Sequence, residues 1–511
     1  MNSKASSRRK YIFAAAFATI FATHGALAQK SDDTMRIGMA GTIATLSIYH
    51  DSTPVSHFLS HGLFDTLIAY DERTNSYQPL LATSWKRTDE RTLEFEIRED
   101  AKWHDGTRVD VDDVIYTLDW LSDPATRLHD EYKWDWIDHV EKLGRTKLRL
   151  ITKRPVAYDL PRLAMHIPIL PEHKHGILLG EKYYFGRSPI GSGPYKFVSL
   201  DHTQATVARV DSYAHGGATK PLPKIARVQV TGGWDYAERV AQWREGKLDI
   251  LLDADPKLVT DLAKEKTIGL TPVAGYGMLV LAYDARDKNR AMGDARVRKA
   301  LDLALDRDAA ARVLPPGGRV PTGLCWREQA GCGAAPAPAM QNINAARALL
   351  KEYGRPVEIA LTAQGATAAQ VAERVAFSWR AIGVTVRIEA AIPEELYMRV
   401  RDHQLDAAIF PWHGGAMPDV QDTVQMLFAP GFWDLHNDSA LHALAAQSSA
   451  ATDDAQRREV TARAVALAAT NDYVIPIAPL PTLAVHNADV AIDARGRWQT
   501  AGFTILDVSW R

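Results

Sequence analysis

An α/β architecture of more than one domain is predicted by three features of the sequence. Short β-like runs alternate with amphipathic helical stretches along the chain. No low-complexity tract, fixed-period repeat or long charge block interrupts that alternation. The 511 residues also exceed what one hydrophobic core organises, at about 150 residues per domain.

The elements follow from local pattern. Met35 to Ala40 reads as a first strand, and Thr92 to Arg98 alternates apolar and polar residues, so one face is buried and the other wet. Asp110 to Leu121 opens with acids, which suit the positive end of a helix, and continues with Val114, Thr117, Leu118 and Leu121 at helical spacing. Leu148 to Thr152 and Ala226 to Val230 are further strands. Ala295 to Val313 is predicted as one helix with Val297, Leu301, Ala304 and Leu305 as its apolar stripe. Val371 to Ile382 is another, stopped by Gly383, and Val384 to Ile388 is the strand after it. Leu405 to Phe410 is a strand whose following loop runs from Pro411 to Asp419. Strand-end loops of this kind gather ligands in α/β proteins.

Composition narrows the class. At 46% hydrophobic and 24% charged residues the chain is neither disordered nor a multi-span membrane protein. Its 60 basic residues against 62 acidic ones supply no excess positive charge for nucleic acid. Lys4, Arg8, Arg9 and Lys10 precede an apolar run from Tyr11 to Ala22, and Ala26-Leu27-Ala28 then gives a small-x-small cleavage pattern. The run is shorter than the roughly 20 residues an anchor needs. Residues 1–28 are therefore expected to be a signal peptide, cleaved near Ala28, with a periplasmic mature chain. Ser7-Arg8-Arg9-Lys10-Tyr11-Ile12 resembles a twin-arginine signal, ordinary secretion being the alternative.

The two cysteines, Cys325 and Cys332, lie in a Pro- and Gly-rich stretch. In an oxidising compartment they can close a small loop, as a local staple rather than a redox pair, contributing roughly 2–3 kcal/mol. Neither has a histidine at metal-ligand spacing, so no metal site is expected. His173 and His175 read as part of a surface turn, and His104-Asp105-Gly106 as a β-turn. The chain has no His-Glu-x-x-His, no Gly-x-Ser-x-Gly, no phosphate-binding Gly-x-x-x-x-Gly-Lys and no complete Gly-x-Gly-x-x-Gly. No catalytic residue or cofactor is assigned.

Several segments, in order, carry a family resemblance. Gly62 to Asp71 opens the series, and Pro79-Leu80-Leu81-Ala82-Thr83-Ser84-Trp85 follows. The densest block is Thr92 to Thr107, containing Lys102-Trp103-His104-Asp105-Gly106, closed by Asp112-Asp113-Val114-Ile115-Tyr116-Thr117. Pro189-Ile190-Gly191-Ser192-Gly193-Pro194-Tyr195, Arg296 to Arg307, Asn344 to Leu350 and Tyr473 to Ile477 complete it. Together they resemble family 5 of the bacterial extracellular solute-binding proteins, the dipeptide, oligopeptide and nickel class of ABC importers. Trp85, Phe95, Ile97 and Trp103 have a plain reading as subdomain core.

That resemblance implies a two-lobed periplasmic-binding-protein fold (class II, cluster C) with an extra subdomain inserted in the first lobe. Lobe I is expected at 29–270 plus 481–511, with the insertion at about 76–188, and lobe II at 271–480. Crossovers are placed near Ala274 to Gly277 and Pro479 to Pro481. It also implies a monomer that captures a small solute, peptide or peptide-like, between hinged lobes and delivers it to inner-membrane permease subunits without turnover. A secreted α/β hydrolase and a sensory or chaperone binding protein are the alternatives.

Three segments are expected to wall the cleft: Leu46 to His50 with Ser47 and Tyr49, the entry to lobe II with Tyr276, and the loop after Phe410 with Trp412, His413 and Asp419. Peptide binders of the family carry in that last loop a carboxylate for the peptide ammonium. Here Ala416-Met417 stands where the acid before Pro-Asp is expected. Asp419 is the substitute, with capping of a helix from Val420 to Leu427 as its other role.

Overall fold

The first strand, Thr34–Gly38, is buried along nearly its whole length and takes a parallel neighbour on each edge, Arg227–Thr231 and Ile250–Leu251. The computed structural model describes most of residues 32–511. The longer stretches outside it are 1–31, 51–53, 129–132, 274–276, 315–322, 414–416 and 494–502. The expected signal peptide and Tyr276 lie outside the described residues.

Around that strand a seven-stranded sheet runs in the order Ile268–Val273, Thr482–Asn487, Ile250–Leu251, Thr34–Gly38, Arg227–Thr231, Gln204–Arg209, Tyr195–Leu200. A separate four-stranded antiparallel sheet, Ala82–Asp89, Thr92–Ile97, Lys147–Thr152 and Ile137–Lys142, shares its hydrophobic cluster. Phe95, Ile97 and Trp103 are buried there, as their alternation requires, while Trp85 on the outer strand is only partly covered. The helix Val111–Ser122 packs on this sheet, and its start is fastened by a reciprocal cap. Asp110 accepts from the Asp112 and Asp113 amides, and Asp113 accepts from the Asp110 amide and from the Trp103 indole.

A second body is built on a five-stranded sheet ordered Thr385–Ala391, Glu358–Gln364, Ala407–Trp412, Met278–Tyr283, Val474–Pro479. Met278–Tyr283 is buried at every position. Leu279, Leu281 and Tyr283 enter one cluster while Met278, Val280 and Ala282 enter another, because successive side chains leave a strand on opposite faces. A continuous apolar run is thus what a sheet covered on both sides demands.

The chain crosses from the first sheet to the second between Val273 and Met278, and returns between Pro479 and Thr482. The Leu480 amide donates to the Gly277 carbonyl at 2.8 Å, tying the two crossings together. A Cβ at Gly277 would lie 2.9 Å from the Leu480 oxygen, so this close approach needs glycine.

Some local expectations need correction. The helix read as Ala295 to Val313 is two, Ala295–Ala304 and Arg307–Ala311. Asp306 breaks it by capping the second piece through the Ala309 amide. His175 is not on a surface turn. It is buried, its Nδ1 lies 2.5 Å from the Tyr116 hydroxyl, and Trp120 and Phe185 pack on its ring. Burial and nearby Lys182 hold its pKa down to about 3.

Candidate functional site

Strand register decides where the site loop emerges. Trp412 stands opposite Met278, and Met278 stands opposite Pro479 on its other side. The last residue of the strand Ala407–Trp412 is therefore level with both crossings. His413, half-buried, continues into that corner, its ring 3.3 Å from where a Gly277 Cβ would be. Burial lowers the His413 pKa, so the imidazole is neutral at neutral pH.

Trp412 is 8% exposed and packs with Met278, Val280 and Phe410 in one cluster. Its indole Nε1 is buried and meets no acceptor among the described residues. An unmatched buried donor costs about 1–3 kcal/mol.

The loop beyond it is held from two sides. The Ala330 amide donates to the Pro418 carbonyl and the Val420 amide donates to the Ala330 carbonyl, both at 2.9 Å. The Gln329 side chain donates to the Met417 carbonyl at 3.0 Å. Gln329 and Ala330 belong to the loop closed by the Cys325–Cys332 disulfide, whose Cα atoms are 5.8 Å apart. The staple and the site loop thus form one unit. From the other side Arg457 of the helix Asp454–Thr470 donates to Asp419 Oδ1 at 2.5 Å, with both side chains at most 5% exposed. The same Asp419 oxygen accepts the Gln421 amide at 2.8 Å, at the start of the helix Gln421–Phe428. Burial pushes the Asp419 carboxyl above its ordinary pKa against the opposing pull of Arg457.

Three residues further on, Asp422 carries a second buried carboxylate, and Arg162 of the helix Asp159–Met165 donates to it at 2.5 Å. This contact joins the two bodies. Met165 of the same helix and Tyr70 of the strand Ile68–Asp71 also pack against the cluster that contains Trp412.

The segment from Leu46 to His50 faces a different neighbourhood. The Leu46 amide donates to the Gly186 carbonyl, Ser47 Oγ is 3.1 Å from His50 Nδ1, and the Tyr49 hydroxyl donates to the Pro168 carbonyl at 2.6 Å. Trp120 and Trp134 meet the Tyr49 ring edge-on, at 5.4 and 5.6 Å. Among the described residues no hydrogen bond, ion pair or ring contact links Ser47 or Tyr49 to Trp412, His413 or Asp419.

A cavity of about 590 Å³ opens beside Tyr70 and Met165, lined also by His61, Phe64, Lys220 and Leu506. Its described lining includes no residue of the five-stranded body. Lys220 is fixed there by Asp65 at 2.7 Å and by the Phe64 carbonyl at 2.6 Å. Burial and the Lys220 charge hold the His61 pKa down to about 3. No group of three or more His, Cys, Asp or Glu among the described residues could hold a metal ion. No helix among them is long and apolar enough to cross a membrane.

Arg162, Asp422, Arg457 and Gln329 were invisible to sequence reasoning. Each acts through a partner 38 to 260 residues away, and no local pattern marks such a pair.

Known proteins place this geometry. The dipeptide-binding protein of Escherichia coli (strain K12) is 23% identical over 382 residues, 69% of this chain and 70% of that protein. In structure, a dipeptide-binding protein from Pseudoalteromonas sp. SM9913, solved with Met-Leu, superposes with a TM-score of 0.78 over 94% of this chain and 100% of the other, at 17% identity. NikZ from Campylobacter jejuni, solved with Ni(L-His), also gives 0.78, over 94% and 99%, at 19% identity. These likenesses show the two-lobed binding-protein fold. Residues 76–434 match the family described as bacterial extracellular solute-binding proteins, family 5 middle, and the chain belongs to that family.

Proposed function

We propose that this solute-binding protein captures a peptide or peptide-like solute between its two lobes and hands it to the permease subunits of an ABC importer, without altering it. The observation that carries this is the corner at Trp412, His413 and Gly277, where a strand-end loop emerges level with both interlobe crossings. Lobe I comprises 29–270 plus 481–511, extended to Val273 by the strand that pairs with Thr482–Asn487, with its insertion at about 76–188. Lobe II is the remainder. The mature protein begins near Gln29 and acts as a periplasmic monomer, exported by either the general or the twin-arginine route.

Trp412 and His413 form the lobe II wall, with Tyr276 at its entry and Ser47 and Tyr49 behind the opposite wall. A ligand acceptor would meet the unmatched Trp412 indole N–H. Asp419 acts by shaping the loop, because Arg457 already occupies its charge. Relatives named for dipeptide binding support the peptide class.

Native mass spectrometry of protein purified from periplasm, followed by a thermal-shift screen, tests this reading. A ligand at 100 times its Kd stabilises the fold by about 2.7 kcal/mol, so a peptide pool should raise the melting temperature and be recovered unchanged. Stabilisation by another solute class and by no peptide would overturn the peptide assignment. N-terminal sequencing of periplasmic material should begin at or near Gln29, and an intact Met1 there would refute export with cleavage.

A further inference from the structure

One face of the helix Pro54–Leu63 carries polar side chains where a helix packed on a core would carry apolar ones. His57, Ser60 and His61, with Phe64 just beyond the helix end, recur at the three- and four-residue spacing of a single face, and all four line the cavity of about 590 Å³. Ile492, Leu506 and Met165 add apolar wall. Leu222, which is 45% exposed, and Lys224 mark where the cavity opens to solvent. Its size falls within the range of small-molecule sites.

Most polar groups around it are already matched. The Ser60 and Thr66 hydroxyls donate to the His57 and Ile68 carbonyls, at 3.2 and 2.7 Å. Lys220 is held by Asp65 and the Phe64 carbonyl, and Asp65 also meets His215 at 2.8 Å and accepts from the Tyr213 hydroxyl at 3.2 Å. Asp71 is taken by Arg73. His61 differs, because among the described residues its imidazole makes no hydrogen bond. Burial and the Lys220 charge keep the ring neutral, so it offers one N–H and one bare nitrogen.

We propose that this cavity is a second binding site, within lobe I and separate from capture between the lobes, for an uncharged molecule with an apolar body and one hydroxyl or carbonyl group that hydrogen-bonds to His61. The apolar wall favours burial of the body, and the imidazole matches the polar group that burial strips of water. An ion gains nothing comparable. It would lose its hydration beside Lys220 and Asp65, which already neutralise each other. Tyr70 and Met165 line the cavity and also pack against the cluster containing Trp412, so an occupant rests against the back of the lobe I surface that meets lobe II.

Isothermal titration calorimetry of the mature protein at neutral pH tests the site with four small molecules of one skeleton. The neutral pair is p-cresol and toluene; the ions are 4-methylbenzylammonium and 4-methylbenzoate. Wild type should bind p-cresol with a stoichiometry of one, and each ion roughly tenfold more weakly or worse. His61→Phe should weaken p-cresol about tenfold while changing toluene less than about twofold, since only p-cresol loses a hydrogen bond. Leu506→Trp, which fills the cavity, should abolish binding of both. Circular dichroism checks that each variant folds, and should one fail, the other carries the test. No peptide enters the experiment, so its outcome leaves the peptide reading where it stands. Wild type that binds no p-cresol, either ion binding more tightly than p-cresol, or p-cresol binding that the folded variants leave intact would overturn the proposal.

Discussion

Asp419 and Asp422 sit three residues apart, both buried and both paired with an arginine at 2.5 Å, yet they serve different ends. The partner of Asp419 is Arg457, from the same body as the five-stranded sheet. The partner of Asp422 is Arg162, from the body that carries the four-stranded sheet. An ion pair within one rigid body shapes a wall, whereas one between two bodies registers their distance.

The largest effect should separate these roles. Asp419→Asn leaves Arg457 with only the half-exposed Asp454 as a charged partner, and should lower the unfolding free energy by about 3 kcal/mol, the low end for a broken buried pair. Urea denaturation reads the loss. An unchanged midpoint would erase the distinction from Asp422.

The disulfide supports the same wall. Replacing Cys325 and Cys332 by serine should cost about 2–3 kcal/mol in urea midpoint analysis. Wild-type exported protein should show no free thiol under denaturing, non-reducing conditions, and two thiols per chain would reject the staple.

Acid probes lobe II by another route. His436 is 1% exposed and its ring stacks on Tyr473 at 4.5 Å. Burial holds its pKa down to about 4, below the unfolded value of 6.5. As pH falls below 6.5 the unfolded chain takes up a proton that the folded one refuses. Stability is lost at about 1.4 kcal/mol per pH unit down to about pH 4. His436→Phe should remove that slope from the wild-type curve; parallel curves would show that the ring protonates freely.

Two smaller effects compare the walls. Tyr49→Phe removes one buried hydrogen bond to Pro168, at about 1 kcal/mol. Trp412→Phe removes an N–H that has no partner among the described residues and should cost still less in the empty protein, about 0.5 kcal/mol, yet weaken binding if a solute accepts from it. Equal stability losses with unchanged binding would place Trp412 among ordinary core residues.

Much of the scaffold was legible from short-range pattern. Asp110 and its following acids foretell a capped helix, and the alternation in Thr92–Ile97 foretells which face is covered. Periodicity failed where a side chain competes with it. Asp306 lies inside an apolar stripe of helical spacing, but its carboxylate caps the start of a second helix. The candidate site was legible only as a loop position. The chemistry at Asp419 depends on Arg457, and that at Asp422 on Arg162, each from a distant part of the chain. Sequence proximity left Asp419 equally open as ligand carboxylate or helix cap, because it shows what surrounds a residue along the chain and nothing of what folds onto it.

The position of the strand Thr482–Asn487 has a bearing on biosynthesis. It lies between Ile268–Val273 and Ile250–Leu251, inside the sheet that also holds Thr34–Gly38. It follows its partner Ile250–Leu251 by more than 200 residues, so a growing chain carries a gap in that sheet until this later segment has been made. Strand pairing across so long a stretch of sequence is slow to form. A nascent chain of this topology stays unfinished until that segment emerges. A chain ending before Thr482 should expose the edges of that gap and be degraded by proteases that spare the complete protein.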